Sequence, residues 1–239
     1  MTGEEWDTIV IGAGVLGCAT AYHLKRADPD RGVLLLDRND RPAMGNTRRS
    51  VALFRDLFTS DTNRDLASST IAFFDHVEGE LGHGLGLRRF GYYWMLGEGV
   101  RGEMDGPLRD LARQGCDLEV HDLDGVEEVL GEVLETSPPP PGDGGPLEPV
   151  AGAVLARNAG TLSPTSLTRW YEGAFRDLGG EAEYGFPVEN LVPTSGSGGR
   201  PRVWEEGHVE AVEGPRGRRR AREVVVAAGT WTPGLVEPL

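Results

Sequence analysis

Three glycines at positions 12, 14 and 17, followed by an aspartate at position 37, are the residues whose types and spacing could do chemistry. Gly12 permits a tight bend out of a strand, Gly14 lets the backbone approach a pyrophosphate, and Gly17 lets the next helix pack close to the strand. The N–H groups at the start of that helix, Val15 among them, then face the phosphates, helped by the helix dipole. Asp37 lies 20 residues beyond Gly17, where a carboxylate accepts hydrogen bonds from ribose hydroxyls and repels a 2′-phosphate, which counts against NADP. The pattern points to dinucleotide binding, against the plainer alternative of a tight turn that binds nothing. The turn alone does not choose between FAD and NAD.

The elements around these residues fit that role. Trp6 to Ile11 is an apolar run, Ala19, Ala21, Tyr22 and Leu24 follow at helical spacing, and Val33 to Leu36 is a second buried strand closed by Asp37. Together they make a βαβ unit. Cys18 is a packing residue on the helix and His23 a surface one. Asp40 to Ser60 is polar and basic, and Asp61 starts a helix running to Leu81. Arg89 to Leu96 reads as one aromatic-rich strand, with helical patterns near Leu108–Arg113 and Val126–Leu134. The Pro- and Gly-rich stretch 138–149 is an internal break. Gly152 to Leu155 is a strand and Pro164 to Leu178 a helix. Short strands near Glu181–Tyr184, Val188–Val192, Arg202–Glu205 and Val209–Val212 predict an antiparallel meander. A last buried strand, Glu223 to Ala227, ends in Ala228-Gly229-Thr230-Trp231.

Composition narrows the class. The chain has 239 residues, 38% of them apolar, enough for a core. A formal net charge of −14 disfavours nucleic acid and anionic membrane as partners. No apolar run is long enough for a membrane span. The acidic N-terminus lacks the features of a secretory signal, which predicts a cytoplasmic protein. Two cysteines make no disulfide framework. The histidines show no zinc or di-iron spacing. The arginines at 216, 218, 219, 220 and 222 read as a solvated hairpin tip.

The chain resembles the D-amino-acid oxidase and sarcosine oxidase superfamily of FAD-dependent oxidoreductases. The likeness rests on Asp-Thr-Ile-Val-Ile-Gly-Ala-Gly-Val-Leu-Gly from Asp7, Leu34-Leu35-Leu36-Asp37-Arg38, and Gly45-Asn46-Thr47-Arg48-Arg49-Ser50. Later matches are Ala159-Gly160-Thr161-Leu162-Ser163-Pro164, Pro187-Val188-Glu189-Asn190-Leu191 and Val224 through Trp231. The resemblance implies an α/β fold: a Rossmann-like FAD-binding domain, with parallel sheet plus β-meander, and part of an α+β substrate domain. Residues 1–86 and 152–239 would form the FAD domain and residues 87–151 part of the substrate domain. Family members continue past the last strand, so the chain reads as C-terminally incomplete, a fragment or one part of a split enzyme in preference to a shortened non-enzyme. A chain stopping there would leave a bare sheet edge. Asp143-Gly144-Gly145-Pro146 reads as a loop.

The implied cofactor is FAD, held by Gly12, Gly14, Val15, Gly17, Asp37, Arg38, Asn46, Thr47, Arg48, Ser50, Val188, Ala228, Gly229 and Trp231. The implied reaction is oxidation of a small-molecule amine or amino acid, with hydride passing to flavin N5. Arg48 or Arg49 could neutralise phosphate or pair with a substrate carboxylate, and Arg55 is a weaker candidate. Arg49 and Tyr92 are the weak catalytic candidates. Strand alternation puts Tyr92 and Trp94 on one face and Tyr93 on the other. Three alternatives stay open: a 2-hydroxy-acid dehydrogenase on the same fold, an FAD-binding subunit needing a second chain, and an NAD-dependent Rossmann enzyme.

Overall fold

The computed structural model describes residues 5–132, 134, 148–195, 199, 201 and 206–237. The chain divides into two units, residues 1–51 with 163–239, and residues 52–162. The sequence-based boundaries at 86/87 and 151/152 therefore fall inside the second unit.

The first unit is built on a six-stranded sheet. Its strands are β1 (Glu5–Ile11), β2 (Val33–Asp37), β9 (Glu181–Tyr184), β10 (Asn190–Ser195), β11 (Gly207–Gly214) and β12 (Gly217–Val226), in the spatial order β10-β11-β12-β1-β2-β9. β1 is central because Ile9, Val10 and Ile11 are apolar in succession and buried on both faces, as parallel strands under helices must be. Helix α1 (Val15–Ala27) joins β1 to β2, and helix α5 (Pro164–Asp177) leads to β9. Ser163 caps α5 by accepting from Ser166 N at 3.2 Å, and Pro164 fills its first turn. The two helices meet through aromatic rings, with Tyr22 5.4 Å from Trp170 and 5.6 Å from Tyr171. The opposite side of the sheet buries Ile9, Ile11, Leu34, Leu36, Phe186 and Val212 in one cluster.

Three expectations change in this unit. Glu181–Tyr184 does not belong to the meander. It is an edge strand parallel to β2, with Leu34 opposite Glu181. The meander is β10-β11-β12 alone, and the strand expected at Arg202–Glu205 lies outside the described residues. The arginine cluster is not a tip. Arg218, Arg219, Arg220 and Arg222 run down β12, which is twice the expected length, and only Arg216 sits in the turn. Acids hold them: Glu183 takes Arg216 and Arg219, Glu213 and Glu210 take Arg218, and Asp7 takes Arg222. Finally, β12 is no bare edge, since β1 flanks it on one side and β11 on the other.

The second unit holds two three-stranded sheets. One has the order β3 (Leu53–Arg55), β8 (Ala159–Thr161), β4 (Arg88–Arg89). The other has the order β5 (Tyr92–Gly97), β7 (Val150–Ala156), β6 (Leu118–Asp122). The expected strand Arg89–Leu96 is thus two strands in different sheets, broken at Gly91, whose φ of +77° favours glycine. Helix α2 spans Asp61–Asp75, α3 Glu98–Arg113 and α4 Leu123–Leu130. Leu57, Leu96, Leu108, Leu111, Val154 and Ala156 make this unit's core. Residues 138–147, with the Asp143–Pro146 loop, lie outside the described residues. Among the described residues no helix is long and apolar enough to cross a membrane.

Candidate functional site

The carboxyl ends of β1, β2 and β12 converge in the first unit, the place where open α/β sheets bind ligands. Gly12 N–H donates to Leu36 O at 2.7 Å and Ala227 N–H donates to Ile11 O at 2.8 Å, tying the three strand ends together. Gly12 has φ +108°, and a Cβ there would lie 2.5 Å from Ala227 O. Gly17 is tighter still, since a Cβ would fall 1.7 Å from Gly12 O. Both positions are therefore glycine by necessity: the turn left-handed at 12, the helix pressed against it at 17.

Asp37 is fixed before any ligand arrives. Its Oδ2 accepts from Ala13 N–H at 2.6 Å, and its Oδ1 accepts from both Asn39 N–H and Asn39 Nδ2 at 2.8 Å. Three bonds leave one of about four acceptor sites on the carboxylate for a ribose hydroxyl. The same turn is gripped from the loop beyond β2. Ala43, at φ +64°, donates its N–H to Ala13 O at 2.8 Å. Thr47 Oγ1 accepts from Val15 N–H at 3.1 Å and lies 3.1 Å from where a Gly14 Cβ would be. Gly14 itself offers α1 no side-chain cap, so the helix start is served by Thr47.

These segments enclose a cavity of about 430 Å³, within the roughly 300–1,000 Å³ of small-molecule sites. Of the expected cofactor residues, Gly12, Gly14, Val15, Asp37, Arg38, Asn46, Thr47, Val188, Ala228, Gly229 and Trp231 line it. Gly17 lies beneath the turn. Arg48 and Ser50 do not line the cavity; they are exposed on and after the 3-10 turn Asn46–Arg49. Arg38 places its guanidinium 4.0 Å from the Trp231 ring centroid, and among the described residues no carboxylate pairs with it. Pro187, from the matched segment, lines the cavity as well, and so do Phe186, Gly234 and Leu235, which carried no sequence signal. Cys18, at the root of α1, has its thiol pushed up to about 12, first by burial and then by Glu172 and Asp37, so it is no thiolate nucleophile.

The catalytic candidates lie elsewhere. Arg49 is exposed in the 3-10 turn of the first unit, whereas Tyr92 belongs to the second and packs with Trp94 on that unit's core. Tyr93 is on the other face, 5.8 Å from the His121 ring. Arg55, in the second unit, stands over two rings, 5.2 Å from Phe58 and 5.1 Å from Tyr92. No described acid pairs with it.

Comparison with known proteins gives the geometry its context. The profile described as FAD dependent oxidoreductase matches residues 7–239. Peroxisomal sarcosine oxidase of Homo sapiens is 28% identical over 237 residues, covering 99% of this chain and 53% of its own length. Sarcosine oxidase subunit beta of Rhodobacter capsulatus is 26% identical, covering 74% of this chain and 41% of its own. The crystal structure of L-proline dehydrogenase from P. horikoshii superposes with a TM-score of 0.74 at 16% identity, over 98% of this chain and 55% of its own. The chain spans about half the length of the curated relatives it matches.

Proposed function

Because the chain belongs to the FAD-dependent oxidoreductase family, we propose that its first unit holds FAD and that the protein oxidises an amine or amino acid. The observation that carries this is the glycine turn, where a Cβ at Gly12 or Gly17 would strike backbone at 2.5 or 1.7 Å. Such a turn exists to bring main-chain N–H groups against a phosphate. The α1 start at Gly14 and Val15 takes the pyrophosphate, and Asp37 takes the ribose. Arg38, Asn46, Thr47, Val188, Ala228, Gly229 and Trp231 line the remaining length. Arg48 and Ser50 flank it from the 3-10 turn. Bound FAD supplies a two-electron acceptor for the substrate's C–H bond.

The chain's own residues orient and desolvate; no protein nucleophile is assigned. Arg55, which has no acid partner among the described residues and is held over Phe58 and Tyr92, is the carboxylate-binding group. Arg49 and Tyr92 are weaker candidates. A second reading, an FAD-holding subunit that works with another chain, is favoured by the relative named as a beta subunit.

The test is the visible absorption spectrum of the purified chain, with and without added FAD, before and after denaturation. A yellow protein that releases FAD, and ammonia or a smaller amine from an amine panel, supports the first reading. Flavin retained only with a co-purifying chain favours the second. A chain that stays colourless at saturating FAD, both alone and with any co-purifying chain, sinks both.

A further inference from the structure

Three of the four arginines on β12 are held by acids on the strands beside it: Arg218 and Arg220 by Glu210 of β11, and Arg222 by Asp7 of β1. Such exposed pairs fasten neighbouring strands and contribute little. Arg219, and Arg216 in the turn before it, reach further. Both end on Glu183 of β9, which β1 and β2 separate from β12 in the sheet. Arg219 grips that carboxylate bidentately, Nε to Oε2 at 3.0 Å and Nη2 to Oε1 at 3.0 Å, and Arg216 Nη2 lies 3.2 Å from Oε1. The grip is partly buried, with the Glu183 side chain 21% exposed.

The chain between β9 and β10 is caught inside this grip. Its residues Phe186, Pro187 and Val188 line the cavity. On one side the segment hangs from the end of β2: Gly185 N–H donates to Asn39 O at 2.7 Å and Phe186 N–H to Asp37 O at 2.9 Å. On the other it meets the β11–β12 hairpin: Glu189 N–H donates to Glu213 O at 2.8 Å, and Arg216 Nη1 to Tyr184 O at 3.1 Å. Gly214 of the hairpin rests so close that a Cβ there would lie 2.2 Å from Pro187 O. The Arg219 guanidinium stands over the Phe186 ring, 4.9 Å from its centroid.

We propose that Glu183, Arg216 and Arg219 are positioning residues for the cofactor: they clamp the hairpin onto residues 184–189 and so set the cavity wall at Phe186, Pro187 and Val188. The inference rests on the reading that this cavity holds FAD. None of the three lines the cavity, so they act through the wall and not by contact. The wall is irregular chain, and Pro187 has no N–H to tie it; its place is set by what holds it from either side. Apparent affinity falls with the fraction of time a site spends in its binding arrangement. Loosening the clamp therefore weakens FAD binding without removing a single contact to it.

Amide exchange of the FAD-free chain and FAD titration by flavin fluorescence, on the same proteins, test this. Glu183→Gln keeps the size and removes the charge. Exchange at Gly185, Phe186 and Glu189 should speed about 10-fold, and the Kd for FAD should rise about 10-fold. Arg219→Glu should do at least as much. Combining Glu183→Arg with Arg219→Glu again sets one acid against two arginines, and should recover most of both losses, which a space-filling role would not. Arg222→Gln, on the same strand, should change neither quantity. Three results overturn the clamp: a Glu183→Gln chain that binds FAD like the parent, a double variant no better than Arg219→Glu alone, or an Arg222→Gln chain that loses as much. The flavin reading fails differently. A parent chain that never binds FAD sinks that reading and the clamp's role with it, whereas a parent and variants that bind FAD alike sink the clamp alone.

Discussion

Replacing Gly17 by alanine tests the cradle most sharply, because intrinsic propensity and packing predict opposite signs. Alanine is favoured over glycine inside a helix by about 1 kcal/mol. At position 17, however, its Cβ would lie 1.7 Å from Gly12 O and 2.9 Å from Gly12 C. An ordinary nonbonded contact is about 3.5 Å. The obstacle is main chain, and it cannot swing aside, because Gly12 N–H is bound to Leu36 O at 2.7 Å. Helix α1 must therefore retreat from the turn. Overpacking against rigid surroundings costs about 3 kcal/mol or more, so the net loss is about 2 kcal/mol. That lowers Tm by roughly 4–8 °C in a chain of this size. The retreat also carries Val15 N–H away from the pyrophosphate position, so FAD affinity should fall at least about 100-fold, as it does when two charge-assisted hydrogen bonds are lost. Gly173→Ala is the matched control: it sits inside α5, and a Cβ there meets nothing within 4 Å. The control should raise Tm slightly and leave FAD binding alone. Melts by circular dichroism and FAD titration by fluorescence read both quantities. If Gly17→Ala melts at or above the parent and binds FAD equally well, the packing argument is wrong.

Other substitutions probe the neighbouring contacts. Asp37→Asn turns an amide NH2 toward at least one of the three donors now held by the carboxylate; FAD should bind about 10-fold or more weaker, and an unchanged Kd would refute the role. Lys25 is buried and donates to Pro29 O at 2.6 Å and Arg31 O at 2.9 Å. Lys25→Met orphans both carbonyls, which should cost about 1–3 kcal/mol and speed amide exchange across residues 28–32; unchanged exchange there would count against it. Burial pushes both the Cys18 thiol and the Tyr171 phenol up to about 12, from ordinary values of 9.0 and 10.0. The unfolded chain therefore loses these protons first, so stability is full below pH 9 and falls between about pH 9 and 12. A Tm that stays level from pH 8 to 11 would contradict this.

How much of this could be read from the sequence depended on how local each signal was. β1, α1 and β2 were legible because their apolar runs, the three glycines and Asp37 sit within one βαβ unit. Helix α3 was foreseen only in its last six residues. Gly99, Gly102, Gly106 and Pro107 argue against a helix by propensity, yet Met104, Leu108 and Leu111 share one face and bury it on the second unit's core. Tertiary packing overrode the local preference. β9 was misread for the opposite reason. Glu181-Ala182-Glu183-Tyr184 alternates like a half-exposed hairpin strand, and it alternates because it is a sheet edge; nothing local tells parallel from antiparallel. In the site, the segment before β10 and the turn after β12 were found through resemblance, but Phe186 and Leu235 have no polar signature and enter only through folding.

The positive-φ alanine at 43 shows what the sequence could not carry. A non-glycine residue in the left-handed region costs about 1 kcal/mol or more. It is held there because Ala43 is fully buried and its N–H closes on Ala13 O. The strain is thus placed where it clamps the loop onto the glycine turn. Asp37, Thr47 and Ala43 reach residues 13 and 15 from three points in sequence, so the N-terminus of α1 is assembled before any ligand is present. A pyrophosphate arriving there need not order the loop. Thr47 Oγ1 accepts from Val15 N–H and still has its own O–H to donate to the pyrophosphate, a charge-assisted hydrogen bond about twice as strong as an ordinary one. Binding then draws on preorganisation rather than on folding, and this is why Thr47→Val should stabilise neither state: it leaves Val15 N–H without an acceptor in the free chain and removes a contact from the bound one. A Thr47→Val chain that binds FAD more tightly than the parent would show that the hydroxyl is a competitor and not part of the cradle.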